Sequence, residues 1–225
     1  MISKLKSIAA PKTWALKRKK NVWTMKPKGG HKLAYSLPVS TLLKLYLKHA
    51  KTTKEVKDII NHKTILVDGV KINKINHGIG VMDIFEIPEL KEKHIILINK
   101  RGKLYPAKTD LNFKISKIIG KTKRGKKTQI NLFGGKNILV DKDIYKVGDS
   151  LLIEIKDFKI KDHIKFEDGA FCFLLAGSHI GETGRIKKIE EDRIIISGED
   201  GNEFETLKKF IYIIGKEKPL VKIEK

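Results

Sequence analysis

At 225 residues and 25.6 kDa the chain has room for one large domain or two to three small ones, and 48 Lys and Arg against 26 Asp and Glu leave a formal net charge of +22. A balance this basic says little about fold but points to a polyanionic partner, either nucleic acid or an anionic membrane surface. The single cysteine, Cys172, excludes an internal disulfide and a cysteine-based zinc cage. Its apolar setting in "GAFCFLLAG" marks a buried, inert thiol. The opening "MISKLKSIAAPKTW" lacks the unbroken apolar stretch of a signal peptide, and no run reaches the roughly 20 apolar residues of a membrane span. A soluble, cytoplasmic protein is expected.

Charge is unevenly placed. Residues 1–54 carry fourteen Lys or Arg and no acid; Glu55 is the first. Within that span Lys12 precedes Trp14, the run Lys17, Arg18, Lys19 and Lys20 lies between Trp14 and Trp23, and a Pro/Gly-rich stretch follows with Lys26, Lys28, His31 and Lys32. Such a self-repelling segment cannot build a core alone. It is either a disordered tail or an arm that orders on a polyanion, its lysines neutralising phosphates and its tryptophans stacking on bases or anchoring the arm to the next domain. Pro27, Gly29 and Gly30 argue against an amphipathic membrane helix.

From residue 37 the chain becomes regular. Leu42, Leu43, Tyr46, Leu47 and Ala50 fall at helical spacing behind Pro38, with Lys44, Lys48 and Lys51 on or near the other face. Thr52 and Glu55 fit a capping box that opens a second helix with Val56, Ile59 and Ile60 on its apolar stripe. Asp68-Gly69 splits two alternating runs, a hairpin signal, and "VMDIFEI" supplies a third strand. Two short helices and a tight hairpin over residues 37–87 resemble the alpha-L RNA-binding motif. That resemblance implies an RNA-facing surface at Thr41, Lys44, Lys48, Thr53, Lys54, Gly69 and Lys71.

Residues 94–170 read as β. "HIILINKRGKLYPA" is strand, turn at Gly102 and strand; "KVGDSLLIEI" is a turn entering a strand. Between them "GKTKRGKKTQI" concentrates Lys121, Lys123, Arg124, Lys126 and Lys127 in what reads as a loop, either solvated or in contact with phosphate, and contact is favoured by the total charge. The acid pair in "DKD" at 141–143 reads as an ordinary turn, not a metal site, and the seven histidines show no metal-ligand spacing.

In "AGSHIGETGRIKKI" the glycines 177, 181 and 184 are spaced as neither a P-loop nor a dinucleotide fingerprint, and they are followed by strands. They are expected to shape a turn. Gly181, Gly184 and Ile186 resemble the KOW motif, a small SH3-like unit; with Glu182 where a basic residue would better suit an RNA-facing tip, either Arg185, Lys187 and Lys188 carry the contact or the tip faces a protein.

The order of these parts resembles the archaeal and eukaryotic small-subunit ribosomal protein S4e family over essentially the whole chain, through Ala10–Trp14, Gly30–Leu33 and Val81–Asp83. The resemblance implies an α+β, multi-module protein. It comprises a basic extended N-terminal arm (1–36), a small alpha-L domain (37–93), a central β-barrel-like domain (94–170) and a C-terminal SH3-like KOW barrel with tail (171–225). It further implies a non-catalytic ribosomal component without cofactor or small-molecule substrate, bound to small-subunit (16S/18S-type) rRNA beside neighbouring ribosomal proteins. With 43 lysines to 5 arginines, contacts should neutralise phosphates more than read bases. The alternatives are a KOW-bearing assembly or transcription-elongation factor, and an RNA-modifying enzyme. The latter would need a convergent acid, base or nucleophile cluster that the sequence does not show.

Overall fold

The computed structural model describes residues 4–141, 143–191, 193–198, 201–216 and 218–221. The chain divides into two units, residues 1–98 with 102–111, and residues 99–101 with 112–225.

In the first unit β1 (Lys4–Lys6) pairs antiparallel with β2 (Trp23–Met25), closing the basic arm into a loop. Beyond it, Lys28 bridges to His77: Lys28 N–H donates to the Asn76 carbonyl at 2.8 Å and Gly78 N–H to that of Lys28 at 2.9 Å. The arm is therefore stitched to the body of its unit rather than extended. β3 (Ser36–Pro38) leads into α1 (Val39–Thr41), which passes at once into a π-helical turn, Leu42–Tyr46. Leu47 N–H reaches the Leu42 carbonyl, five residues back, and Lys48 ends the turn in the left-handed region at φ 57°. The predicted helix is thus shorter and wider than its apolar spacing suggests.

α2 (Thr53–His62) opens on the expected cap, Thr52 Oγ1 accepting from Glu55 N–H. The Glu55 carboxylate reaches back one residue further than a standard capping box, to Lys51 N–H at 2.8 Å. That bond, then one from the Thr52 hydroxyl, holds the Glu55 carboxyl below its ordinary range.

β4 (Leu66–Val67) and β5 (Val70–Lys71) form the predicted hairpin, with φ of 49° at Asp68 and 76° at Gly69. Both central residues have positive φ, as a type I′ turn requires. The Asp68 carboxylate also accepts from Ile84 N–H at 3.0 Å, tying the turn to the next strand but one. β6 (Gly78–Gly80) pairs with β3. β7 (Ile84–Ile87), β8 (Glu92–Ile98) and β9 (Leu104–Lys108) complete a sheet in the order β5-β4-β7-β8-β9. The third strand begins only at Ile84, because Met82 turns the chain at φ 66°. Since β8 and β9 belong to this sheet, the expected boundary at residue 93 falls inside a strand; the unit ends near Leu111.

The described part of the second unit is mostly β, with a 3-10 turn at Lys208–Phe210. β10 (Phe113–Arg124), β11 (Lys127–Leu132), β12 (Asn137–Val140), β13 (Ser150–Glu154) and β14 (Ile160–Ile164) order as β12-β11-β10-β13-β14. β15 (Phe171–Leu174), β16 (Thr183–Glu190), β17 (Arg193–Gly198), β18 (Glu203–Leu207) and β19 (Ile211–Gly215) order as β18-β17-β16-β15-β19. Leu152 and Ile164 from the first of these sheets share one apolar cluster with Cys172, Ile186, Ile194 and Ile213 from the second. The two β domains expected to divide at residue 170 therefore share a core. Burial there pushes the Cys172 thiol up to about 12, which leaves it inert at neutral pH.

The glycine-rich stretch links β15 to β16. Gly184 lies so near β17 that a Cβ would stand 2.6 Å from Ile196 Cγ2 and from the Ser197 carbonyl oxygen. Its backbone approaches a strand, not a ligand.

A buried lysine ties strands of this unit together. Lys117 on β10 is 8% exposed, and its Nζ donates to the carbonyls of Lys208 (3.2 Å), Lys209 (3.3 Å) and Ile211 (2.5 Å). Tyr212 Oη donates to the Ile115 carbonyl at 2.8 Å and accepts from Lys117 N–H. Burial, and then the nearby Lys208 charge, lowers the Lys117 pKa to about 8. Between pH 8 and 10.5 the unfolded chain holds more protons at this site than the folded one, so its contribution to stability rises with pH across that window. Denaturant melts of wild type and Lys117→Met should show their stability difference moving toward the wild type by roughly 2 kcal/mol over the window. A pH-independent difference would contradict this.

Candidate nucleic-acid interface

The basic residues predicted to contact RNA separate into exposed, half-buried and enclosed groups. In the arm Lys12, Lys17, Lys19, Lys20, Lys26, Lys28 and Lys32 are exposed, and Arg18 is half-buried with its guanidinium donating to the Ile8 carbonyl at 3.3 Å. Trp14 is only 1% exposed, and its indole N–H donates to the Ser36 carbonyl at 2.8 Å. An enclosed ring offers no face to a base, so Trp14 is an anchor and leaves the contact set.

His31 leaves it too. Its side chain is 5% exposed and its Nε2 sits 2.8 Å from the Asp83 carboxylate, itself 4% exposed, which also accepts from Gly80 N–H. The imidazole lies flat on Gly80, where a Cβ would meet the ring at 2.2 Å. Only glycine admits that contact.

On the helical face Lys48, Lys51, Thr53 and Lys54 are exposed, and the half-buried Lys44 places Nζ 3.4 Å from the Thr53 hydroxyl. Thr41 is 4% exposed, so the expectation that it stands on the open RNA-facing surface is corrected; it lines a groove beside Lys44 and Thr53. Gly69 and Lys71 are exposed at the β4–β5 turn. The first unit thus presents lysines from the arm, the helix pair and the hairpin, over a stretch in which the chain has no acid before Glu55.

In the second unit the 121–127 stretch is not a loop. β10 and β11 continue as a paired ribbon to Arg124 opposite Lys127, with Gly125 (φ 60°) and Lys126 at its tip. Alternation along the ribbon and its lack of core on either face explain why so many cations are tolerated there. Lys121 pairs with Asp143 and Lys127 with Asp141 at 3.1 Å, so the "DKD" carboxylates serve as counter-charges. Among the described residues Lys123, Arg124 and Lys126 are exposed with no carboxylate partner. Arg185 is exposed on β16, while Lys187 and Lys188 pair with Glu203 (2.6 Å) and Glu190 (2.7 Å). Exposed pairs of this kind contribute about 0–1 kcal/mol, little enough for a phosphate to displace the carboxylate. Glu182 is held by His179 at 3.0 Å.

Of the two tryptophans expected either to stack on bases or to anchor the arm, Trp23 is the exposed one. It stands 53% exposed on β2. Both tryptophans flank the same basic run, and only the tertiary packing says which one is enclosed. Among the described residues no cluster of three or more His, Cys, Asp and Glu comes together as a metal site would, and no helix is long and apolar enough to cross a membrane.

The chain is similar to known proteins. Residues 90–160 match Ribosomal family S4e, and residues 3–34 match the RS4NT (NUC023) domain. Small ribosomal subunit protein eS4 of Methanococcus vannielii is 34% identical over 96% of each chain, and that of Methanosphaera stadtmanae is 37% identical over 97% of this chain and 95% of its own. The chain belongs to ribosomal family S4e. The crystal structure of 30S ribosomal protein S4e from Thermoplasma acidophilum superimposes with a TM-score of 0.70 at 29% identity, covering 81% of this chain and 96% of that one. In this S4e chain, as in that structure, the fold is predominantly β.

The two tryptophans give a direct check. Trp14→Ala should cost about 3–5 kcal/mol in chemical unfolding, as for other fully buried aromatics, whereas Trp23→Ala should change stability by under about 1 kcal/mol. Equal losses would contradict the assignment of anchor and exposed ring.

Proposed function

We propose that this chain is a structural, non-catalytic component of the small ribosomal subunit, holding folded small-subunit rRNA through phosphate contacts beside neighbouring ribosomal proteins. Membership of the S4e family, whose archaeal relatives are named small ribosomal subunit protein eS4, supports the reading. The observation that carries it is physical: fourteen cations without one acid in residues 1–54, most of them turned to solvent. Such a surface lowers its own electrostatic energy when a polyanion covers it.

In this reading the helix pair and the β4–β5 turn act as an alpha-L surface through Lys44, Lys48, Lys51, Thr53, Lys54, Gly69 and Lys71. The β15–β18 strands act as a KOW unit with Arg185 and Lys187 toward RNA, and the β10–β11 ribbon adds Lys121, Lys123, Arg124, Lys126 and Lys127. Lysine ammoniums are point charges, so affinity comes from counterion release, and the site is chosen by the shape of the folded RNA rather than by base edges. The paired histidines fit a structural role, since His31, His163 and His179 each meet a different carboxylate, Asp83, Asp149 and Glu182. The protein would act in the cytoplasm, on the ribosome.

Binding to small-subunit rRNA should weaken steeply with salt, by about 0.7–0.9 log units per decade for each phosphate neutralised. Replacing Lys123, Arg124 and Lys126 together by alanine should lower that slope by roughly two to three, measured by filter binding across a salt series. A slope unchanged by the triple replacement would remove the ribbon from the interface; salt-independent binding would contradict the phosphate mechanism.

A further inference from the structure

Two large apolar side chains in the first unit remain in water on the same groove. Trp23 on β2 is 53% exposed and Leu45, in the π-helical turn, is 44% exposed. Together with Met25 they line a depression of about 330 Å³. That is near the low end of the roughly 300–1,000 Å³ found for small-molecule sites. Lys4, Lys17, Lys44 and Lys57 also line it, and among the described residues no carboxylate does. Its shape follows from local structure. Alternation along β2 puts Trp23 and Met25 on one face, Met25 is fixed by the Ser40 hydroxyl at 3.3 Å, and Thr53 holds the Lys44 ammonium at the α2 end.

We propose that this groove receives one unpaired nucleotide of the bound RNA, its base against Trp23 and its phosphate among Lys17, Lys44 and Lys57. The proposal rests on the RNA-binding reading above and names what that site takes. A flat indole flanked by ammoniums, with an aliphatic wall at Leu45, matches a nucleotide's two halves: an aromatic base and an anion. A base inside a duplex has both faces covered by its neighbours, so only a bulged or looped-out base can lie on the ring. Stacking accepts any base, so discrimination is between unpaired and paired RNA rather than among sequences. Without the π-helical turn Leu45 would follow a different helical phase, and the groove would lose its second apolar wall.

The test uses the intact chain with two blunt-ended RNA duplexes, one fully paired and one carrying a single-nucleotide bulge, at low salt where phosphate attraction brings either onto the protein. Trp14 is enclosed, so quenching of tryptophan emission on binding reports Trp23. The bulged duplex should quench the wild type and leave Trp23→Phe unquenched. Trp23→Ala should weaken binding of the bulged duplex about tenfold while leaving the paired one unchanged. Lys44→Ala/Lys57→Ala, which leaves the ring in place, should weaken the bulged duplex more than the paired one. If the bulged duplex binds without quenching, or Trp23→Ala weakens both duplexes equally, the inference is overturned while RNA binding stands. If neither duplex nor rRNA binds, the functional reading falls and this one with it.

Discussion

Everything in the first unit is shaped by one constraint: residues 1–54 must fold with fourteen positive charges and no negative charge of their own. The chain meets it by anchoring the segment with groups that are uncharged or borrowed from later sequence. Trp14 is enclosed and tied to the Ser36 carbonyl, Lys28 is joined to the 76–78 backbone through main-chain hydrogen bonds, and His31 meets the carboxylate of Asp83. The ammoniums are left outward because none of them is needed for the fold. Even Glu55, the first acid in the chain, is spent on the Lys51 and Thr52 groups at the start of α2 rather than on a lysine ammonium. The folded unit is therefore electrostatically incomplete until a polyanion covers it, and structure and function follow from the same imbalance.

The second unit handles charge differently. Its cations face nearby carboxylates across exposed pairs, Lys121 with Asp143, Lys127 with Asp141, Lys187 with Glu203 and Lys188 with Glu190. These pairs are weak enough to be exchanged for phosphate contacts, and they limit self-repulsion while no partner is bound. The buried ammonium of Lys117 is directed at backbone carbonyls and joins β10 to the entry of β19. Charge at the surface serves the partner, and charge in the core serves the fold.

The sequence made legible those features whose cause is local. Asp68-Gly69 is readable because a two-residue hairpin needs positive φ at both positions, and the Thr52 cap because its acceptor lies three residues from its donor. The glycines at 177, 181 and 184 are readable as a turn because the residues that follow alternate as strands do. What stayed hidden depends on partners distant in sequence. Trp14 and Trp23 sit in similar basic company, and burial of the first is decided by Ser36, twenty-two residues away. His31 reads as an arm cation until Asp83 closes on it, and Thr41 reads as surface until the unit packs around it. The π-helical turn at Leu42–Tyr46 is invisible because one extra residue in a turn leaves the apolar spacing almost unchanged. Strand membership was the hardest part. β8 joins the sheet of the first unit by pairing with β7 and carries β9 with it, and the two expected β domains merge because Leu152 and Ile164 pack with Cys172 and Ile186.

The central claim is that this chain is a permanent part of the small subunit, held there by RNA phosphates. It is tested most directly by counting copies. Small subunits purified at near-physiological salt should hold the chain at about one copy each by quantitative mass spectrometry against other small-subunit proteins, and a salt series should release it steeply, as phosphate contacts require. A substoichiometric signal at near-physiological salt would contradict the account and identify a transient factor of ribosome assembly or transcription instead.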